Sequence, residues 1–211
     1  MAERRFTNKG TSRVQVETRE DGGATITGYA AVFYDSGNDG TEFEIFSDYV
    51  ERIMPGAFDE ALKRPDDAAG LFNHQPDNLL GRVSAGTLSL SVDKTGLRYE
   101  IDAPDTTVGR DVVASIKRGD LTGSSFAFTV TDQTFRTEEK IDIREIRGVE
   151  LFDTGPVTYP AYEATTTGVR ATDGADDAVA ARRTWHAEQR RDRMAAGTTD
   201  SVRKFLTDAK S

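Results

Sequence analysis

The chain has 211 residues, 36% hydrophobic and 30% charged, with a formal net charge of −9, two histidines and no cysteine. That length suits one domain with a substantial core and a tail. Several classes are excluded: no apolar run approaches the about 18 residues of a spanning helix, MAERRFTNKG lacks a secretory signal's apolar stretch, and without cysteine there is no disulfide, thiol nucleophile or cysteine-bound zinc.

An intracellular compartment fits this usage. The acidic balance argues against nucleic acid, because phosphate binding rests on clustered Lys and Arg, and it favours a neutral or basic protein partner. Over residues 13–33, RVQVE, the turn EDGG and TITGYAAVF read as a hairpin. TEFEIFSDYVERIMPGAFDEALKR passes from strand to a short helix beginning near Pro55 or Gly56. AGLFNHQPDNLLGRVS has apolar ends and a polar centre that turns at Pro76. GTLSLSVDKTGLRYEIDA is a strand, a DKTG turn and a second strand, with Leu88, Leu90 and Val92 on one face. VGRDVVASIKRG spaces Val112, Val113 and Ile116 as a helix does and stops at Gly119.

That helix delivers the chain to LTGSSFAF, residues 121–128, which reads as a buried strand. Two further strands, near 129–136 and 142–152, lead to DTGPVTYPAYEATT, where two prolines are expected to end regular pairing. After about Ala171 the composition turns to alanine and charge, so the expected division is a folded domain over 1–170 and a helical or disordered tail over 171–211. Many short strands and two or three helices predict a mostly β domain with flanking helices (α+β), a barrel or a sandwich.

Side chains alternate across a strand. Ser124 therefore shares a core face with Phe126, Phe128 and Val130, while Ser125 shares the other with Gly123, Ala127 and Thr129. The second face is floored by small side chains, which a reactive hydroxyl needs if another chain is to lie beside it. A serine nucleophile also needs a base and a group that orients the base, in no fixed sequence order. His74, in FNHQPDN, is the candidate base, although an arbitrary turn histidine usually has no catalytic role. His186, in RTWHAEQRR, reads as a solvated helix position beside Trp185. Asp153 closes a strand where the chain turns, a common place for functional side chains. Glu150, three residues earlier, faces the other way if the strand is regular. Either acid is equally an ordinary surface carboxylate.

Other chemistries find less support. A metal hydrolase wants several His and carboxylate ligands together, and neither GxGxxG nor GxxxxGK[ST] is present to cradle a phosphate. Asp66 with Asp67, and Asp176 with Asp177, read as exposed loop charges. No cofactor or metal is expected.

Five segments in order, GYAAVFY, ERIMPGAFDEALKR, LFNHQPDNLLGRVS, IKRGDLTGSSFAF and VELFDTGPVTYPAY, resemble the prohead, or capsid-maturation, proteases of tailed bacteriophages from about Gly28 to Arg170. The resemblance implies a serine endopeptidase in a protease domain over 1–170, with a closed β-barrel surrounded by helices and related to the herpesvirus assemblin proteases. It implies Ser125 as nucleophile, His74 as base and Asp153 as third member, with Glu150 as the alternative acid. Backbone amides or Arg82 would hold the oxyanion, a structural ion pair being the other reading of Arg82. The implied partners are the major capsid protein with its scaffolding segment, or a separate scaffold protein, and the enzyme itself by self-cleavage or as a homodimer. Neither nucleic acid nor membrane is expected as a partner. The expected location is the interior of the phage procapsid in the bacterial host cytoplasm, with the tail as a co-packaging handle or self-cleavage region. Two rival expectations are a non-catalytic, protease-like assembly factor of the procapsid and a β-barrel binding module.

Overall fold

A computed structural model describes residues 2–7, 13–63, 67–158 and 175–208. In chain order the elements are strands β1 (Glu3–Thr7), β2 (Gln15–Thr18), β3 (Ala24–Val32), β4 (Glu42–Phe46) and β5 (Tyr49–Ile53), then helix α1 (Asp59–Lys63). Strands β6 (Ala69–Leu71), β7 (Leu79–Arg82), β8 (Leu88–Val92) and β9 (Gly96–Asp102) follow, then helix α2 (Thr107–Arg118), strands β10 (Gly123–Glu138) and β11 (Ile141–Val157), and helix α3 (Ala175–Asp208).

The frame is the β10–β11 hairpin. Its tip, Glu139 and Lys140, takes φ of 48° and 75°, the left-handed pair that matches the twist of two-residue hairpins. The two strands expected at 129–136 and 142–152 are thus parts of longer ones. Pairing also continues through Pro156, which sits opposite Ser124, and stops at Val157. Proline lacks an N–H but keeps its carbonyl, and here that carbonyl accepts from Asn73 N at 3.1 Å. Pro160 lies outside the described residues. The expected local signals hold at α2: Thr106 accepts from Gly109 N, and Gly119 ends the helix at φ 85° with its N–H on Ile116 O.

Mostly β is correct, but the expected closed barrel is not found among the described residues. The strands form a seven-stranded sheet, β1-β10-β11-β5-β4 with β6 on β11 and β7 on β6, and a four-stranded sheet, β2-β3-β9-β8. The long β11 divides its outer edge. Asp142–Ile146 runs parallel to β5, and Asp153–Thr154 runs parallel to β6. That edge therefore branches, and among the described residues no ladder joins the two sheets. The surrounding helices are few in this unit, α1 and α2 being short.

Ile26, Leu97, Tyr99 and Ile101 of one sheet and Phe126, Phe128 and Ile146 of the other are all 0% exposed. Phe33, Phe58, Phe126 and Phe128 stack in series with ring centroids 6.1, 5.6 and 4.6 Å apart, offset and edge contacts that aromatic quadrupoles favour.

Four of the buried charged residues form one cluster beside this core. Arg5 contacts Glu51 at 2.5 Å and Glu3 at 2.8 Å, and Arg144 contacts Glu3 at 2.8 Å and Glu51 at 2.7 Å. Buried charge is tolerated where every member is paired. Two arginines and two glutamates alternate here and sum to zero.

The chain divides into compact units Met1–Ala175 and Asp176–Ser211. In the second, α3 is helical over a stretch expected to be helical or disordered. Asp176 and Asp177 lie in its first turn, where acids complement the helix dipole. Among the described residues no helix is long and apolar enough to cross a membrane.

Candidate active site

The alternation of LTGSSFAF decides which serine points where. Ser124 turns to the core and shares a 2.8 Å hydrogen bond with the Tyr99 hydroxyl. Gly28 makes room for that pair, because a Cβ there would lie 2.7 Å from the Tyr99 hydroxyl and 2.8 Å from Ser124 Oγ. Ser125 turns to the opposite face, and its Oγ lies 2.5 Å from His74 Nε2.

His74 reaches it from a tight turn between β6 and β7. Asn73 and His74 both have φ of 56°, a left-handed conformation that non-glycine residues adopt at some cost and that asparagine tolerates best. The turn is fastened to the end of β11. Asn73 Nδ2 donates to Thr158 Oγ1 at 3.0 Å, and Thr158 N donates to Asn73 Oδ1 at 2.8 Å.

The acid comes from a bulge. In β11, Asp153 pairs with Ala127 and Leu151 with Phe128, leaving Phe152 without a partner position. Such an extra residue reverses which face the following side chain takes. Asp153, which would otherwise follow Leu151 toward the core, is re-aimed to the face of Ala127 and Ser125. Its Oδ1 lies 2.5 Å from His74 Nδ1. Glu150 pairs with Thr129, four residues along from Ser125, and is exposed. The two acids therefore share a face, contrary to the expectation for a regular strand.

Asp153, His74 and Ser125 thus form one hydrogen-bonded row. With Nδ1–H donating to Asp153, Nε2 carries the lone pair that can accept the Ser125 proton. His74 is 8% exposed and Ser125 0%.

The profile of the Caudovirus prohead serine proteases matches residues 12–178. The chain belongs to that family.

This makes the protein a serine peptidase of phage capsid maturation and sets aside the non-catalytic and binding-module alternatives. A solved structure, the bacteriophage T4 capsid assembly protease, is similar at 14% identity and TM-score 0.45, over 74% of this chain and 98% of that one. Among curated proteins, none matches the chain.

Arg82 of the protease lies in a cross-strand row with Ala69, Asp153 and Ala127, three strands from β10. Its guanidinium is 2.5 Å from Asp67 Oδ2, in an exposed ion pair. Among the described residues no three metal-ligating side chains gather. Sequence reasoning missed Asn73, Thr158 and Thr154, whose Oγ1 donates to Ser125 O at 3.2 Å. The signal available for Asn73 was its place beside His74 in a turn, since asparagine is the side chain best suited to a left-handed backbone.

Proposed function

We propose that Ser125, His74 and Asp153 are the catalytic triad of this peptidase. The observation that carries the reading is the unbroken row from Asp153 through both ring nitrogens of His74 to Ser125 Oγ. His74 takes the Ser125 proton as Oγ bonds to a peptide carbonyl carbon, then gives it to the departing amine; water repeats the sequence on the acyl-enzyme. Asp153 holds the ring and stabilises its positive charge. Backbone amides supply the oxyanion donors.

The substrate is the scaffolding segment of the major capsid protein, or a separate scaffold protein, inside the procapsid in the host cytoplasm, and the enzyme also cleaves itself. Residues 1–170 carry the chemistry. The tail over 171–211 co-packages the enzyme, and family membership together with the tail's charged composition supports that assignment.

The test is the intact mass of capsid protein and enzyme after co-expression, with wild type and with Ser125→Ala. Shortening confined to the wild type supports the assignment. Full-length masses in both, with shells assembled, would overturn it.

A further inference from the structure

In the folded chain Ser125 is already covered. β1 is the outermost strand of its sheet and runs antiparallel to β10, with Phe6 opposite Ser125, Arg5 opposite Phe126 and Glu3 opposite Phe128. Ser125 Oγ lies 3.0 Å from the Arg5 carbonyl oxygen. A hydroxyl has one proton, so that carbonyl competes with His74 Nε2 for the proton a nucleophile must surrender. Paired strands sit about 4.8 Å apart, which leaves no room for a second peptide between β1 and β10. The 0% exposure of Ser125 is the result. β1 also precedes the residues matched to the family, which begin at 12.

The side chains that hold β1 bear on specificity. Glu3 and Arg5 enter the interior, where Arg144 and Glu51 meet them. Without β1, Glu51 and Arg144 would keep one another but lose half of their partners. An apolar strand laid on β10 would bury them in that state, which is unfavourable for charges inside a protein. A strand with an acid and, two residues later, a base restores all four pairings, and the antiparallel register sets that order.

We infer that the β10 edge under β1 is the binding site for the substrate strand, that residues 3–7 occupy it as an internal stand-in, and that Arg144 and Glu51 select an extended peptide of the form acid, any residue, base. This rests on Ser125 being the nucleophile. Recognition is by strand addition, with main-chain bonds supplying affinity and alternate side chains supplying choice. The protease is latent until β1 leaves.

The test uses the full chain with a cleavable sequence inserted between residues 8 and 12, nicked after folding. In a Ser125→Ala background, fluorescent AERRFT, the sequence of residues 2–7, is titrated into nicked and intact protein. Binding to the nicked form, at least about tenfold weaker for the intact form and for a peptide with the glutamate and second arginine interchanged, is expected from the buried pairing. A second variant, Glu3→Gln with Arg5→Gln, loosens β1 without a nick and is expected to admit the same peptide. Failure of both proteins to bind it, or equal binding of the interchanged peptide, overturns the inference. With Ser125 present, a fluorophosphonate separates the two claims. Faster labelling on nicking supports both, and equal labelling of nicked and intact chains keeps the triad and refutes the stand-in. Peptide binding without any labelling keeps the strand site and refutes the nucleophile.

Discussion

Replacing Asn73, which touches neither Ser125 nor a substrate in the proposed mechanism, is expected to disable the site through the backbone. Asn73→Ala removes two hydrogen bonds to Thr158, of 3.0 and 2.8 Å, together about 2 kcal/mol at about 1 kcal/mol each. It also places a Cβ-bearing residue without a local polar side chain at φ 56°, adding about 1 kcal/mol. If the resulting about 3 kcal/mol falls on the position of the imidazole, the reaction slows by about 10²-fold, a decade per about 1.4 kcal/mol. Asn73→Gly accepts the left-handed backbone and loses only the bonds, so about 2 kcal/mol and about 30-fold are expected. The assay, here and for the variants below, is the rate at which a fluorophosphonate labels Ser125 in the nicked chain, with the thermal midpoint followed in parallel. The order should be wild type, then glycine, then alanine. Equal rates for the two variants would refute the backbone part of the reasoning. Rates within about twofold of wild type for both would refute the clasp, since even one lost bond is worth about fivefold.

Asp153→Asn should cut labelling by about 10³- to 10⁴-fold while Glu150→Gln leaves it unchanged, and the reverse result would reassign the acid. Gly155→Ala puts a Cβ 2.2 Å from the Leu71 carbonyl oxygen, a backbone atom that cannot swing away. A loss of about 3 kcal/mol in urea unfolding is expected, and a loss under about 1 kcal/mol would mean β6 yields freely. Tyr99→Phe leaves the buried Ser124 hydroxyl without its partner and should destabilise by about 1 to 3 kcal/mol, read in the same denaturation, with labelling of Ser125 retained. Arg82→Ala should leave peptide turnover unchanged; a loss of about 10²-fold would restore an oxyanion role to that side chain.

Where a feature depends on near neighbours, the sequence was enough. The alternation of GSSFAF separated Ser125 from Ser124, Gly119 marked the end of α2, and DKTG marked the β8–β9 hairpin, because strand faces, caps and turns are set by residues within one or two turns of each other. The resemblance pointed to the histidine and to two acids, and the structure brings His74 and one of those acids, Asp153, into a row with Ser125. It could not decide between the acids, because the bulge at Phe152 is a matter of register between β10 and β11, and a one-residue slip exchanges the faces of every side chain that follows. Nor did MAERRFTNKG announce that its strand would lie against β10. Arg5 and Ser125 are 120 positions apart, and the buried ring of Glu3, Arg5, Glu51 and Arg144 draws on three strands far apart in the chain. The branching of the seven-stranded sheet has the same origin, in the division of one edge of β11 between β5 and β6. Local chemistry determined the elements and the chemical candidates; pairing across the chain decided which acid reaches His74 and what covers the serine.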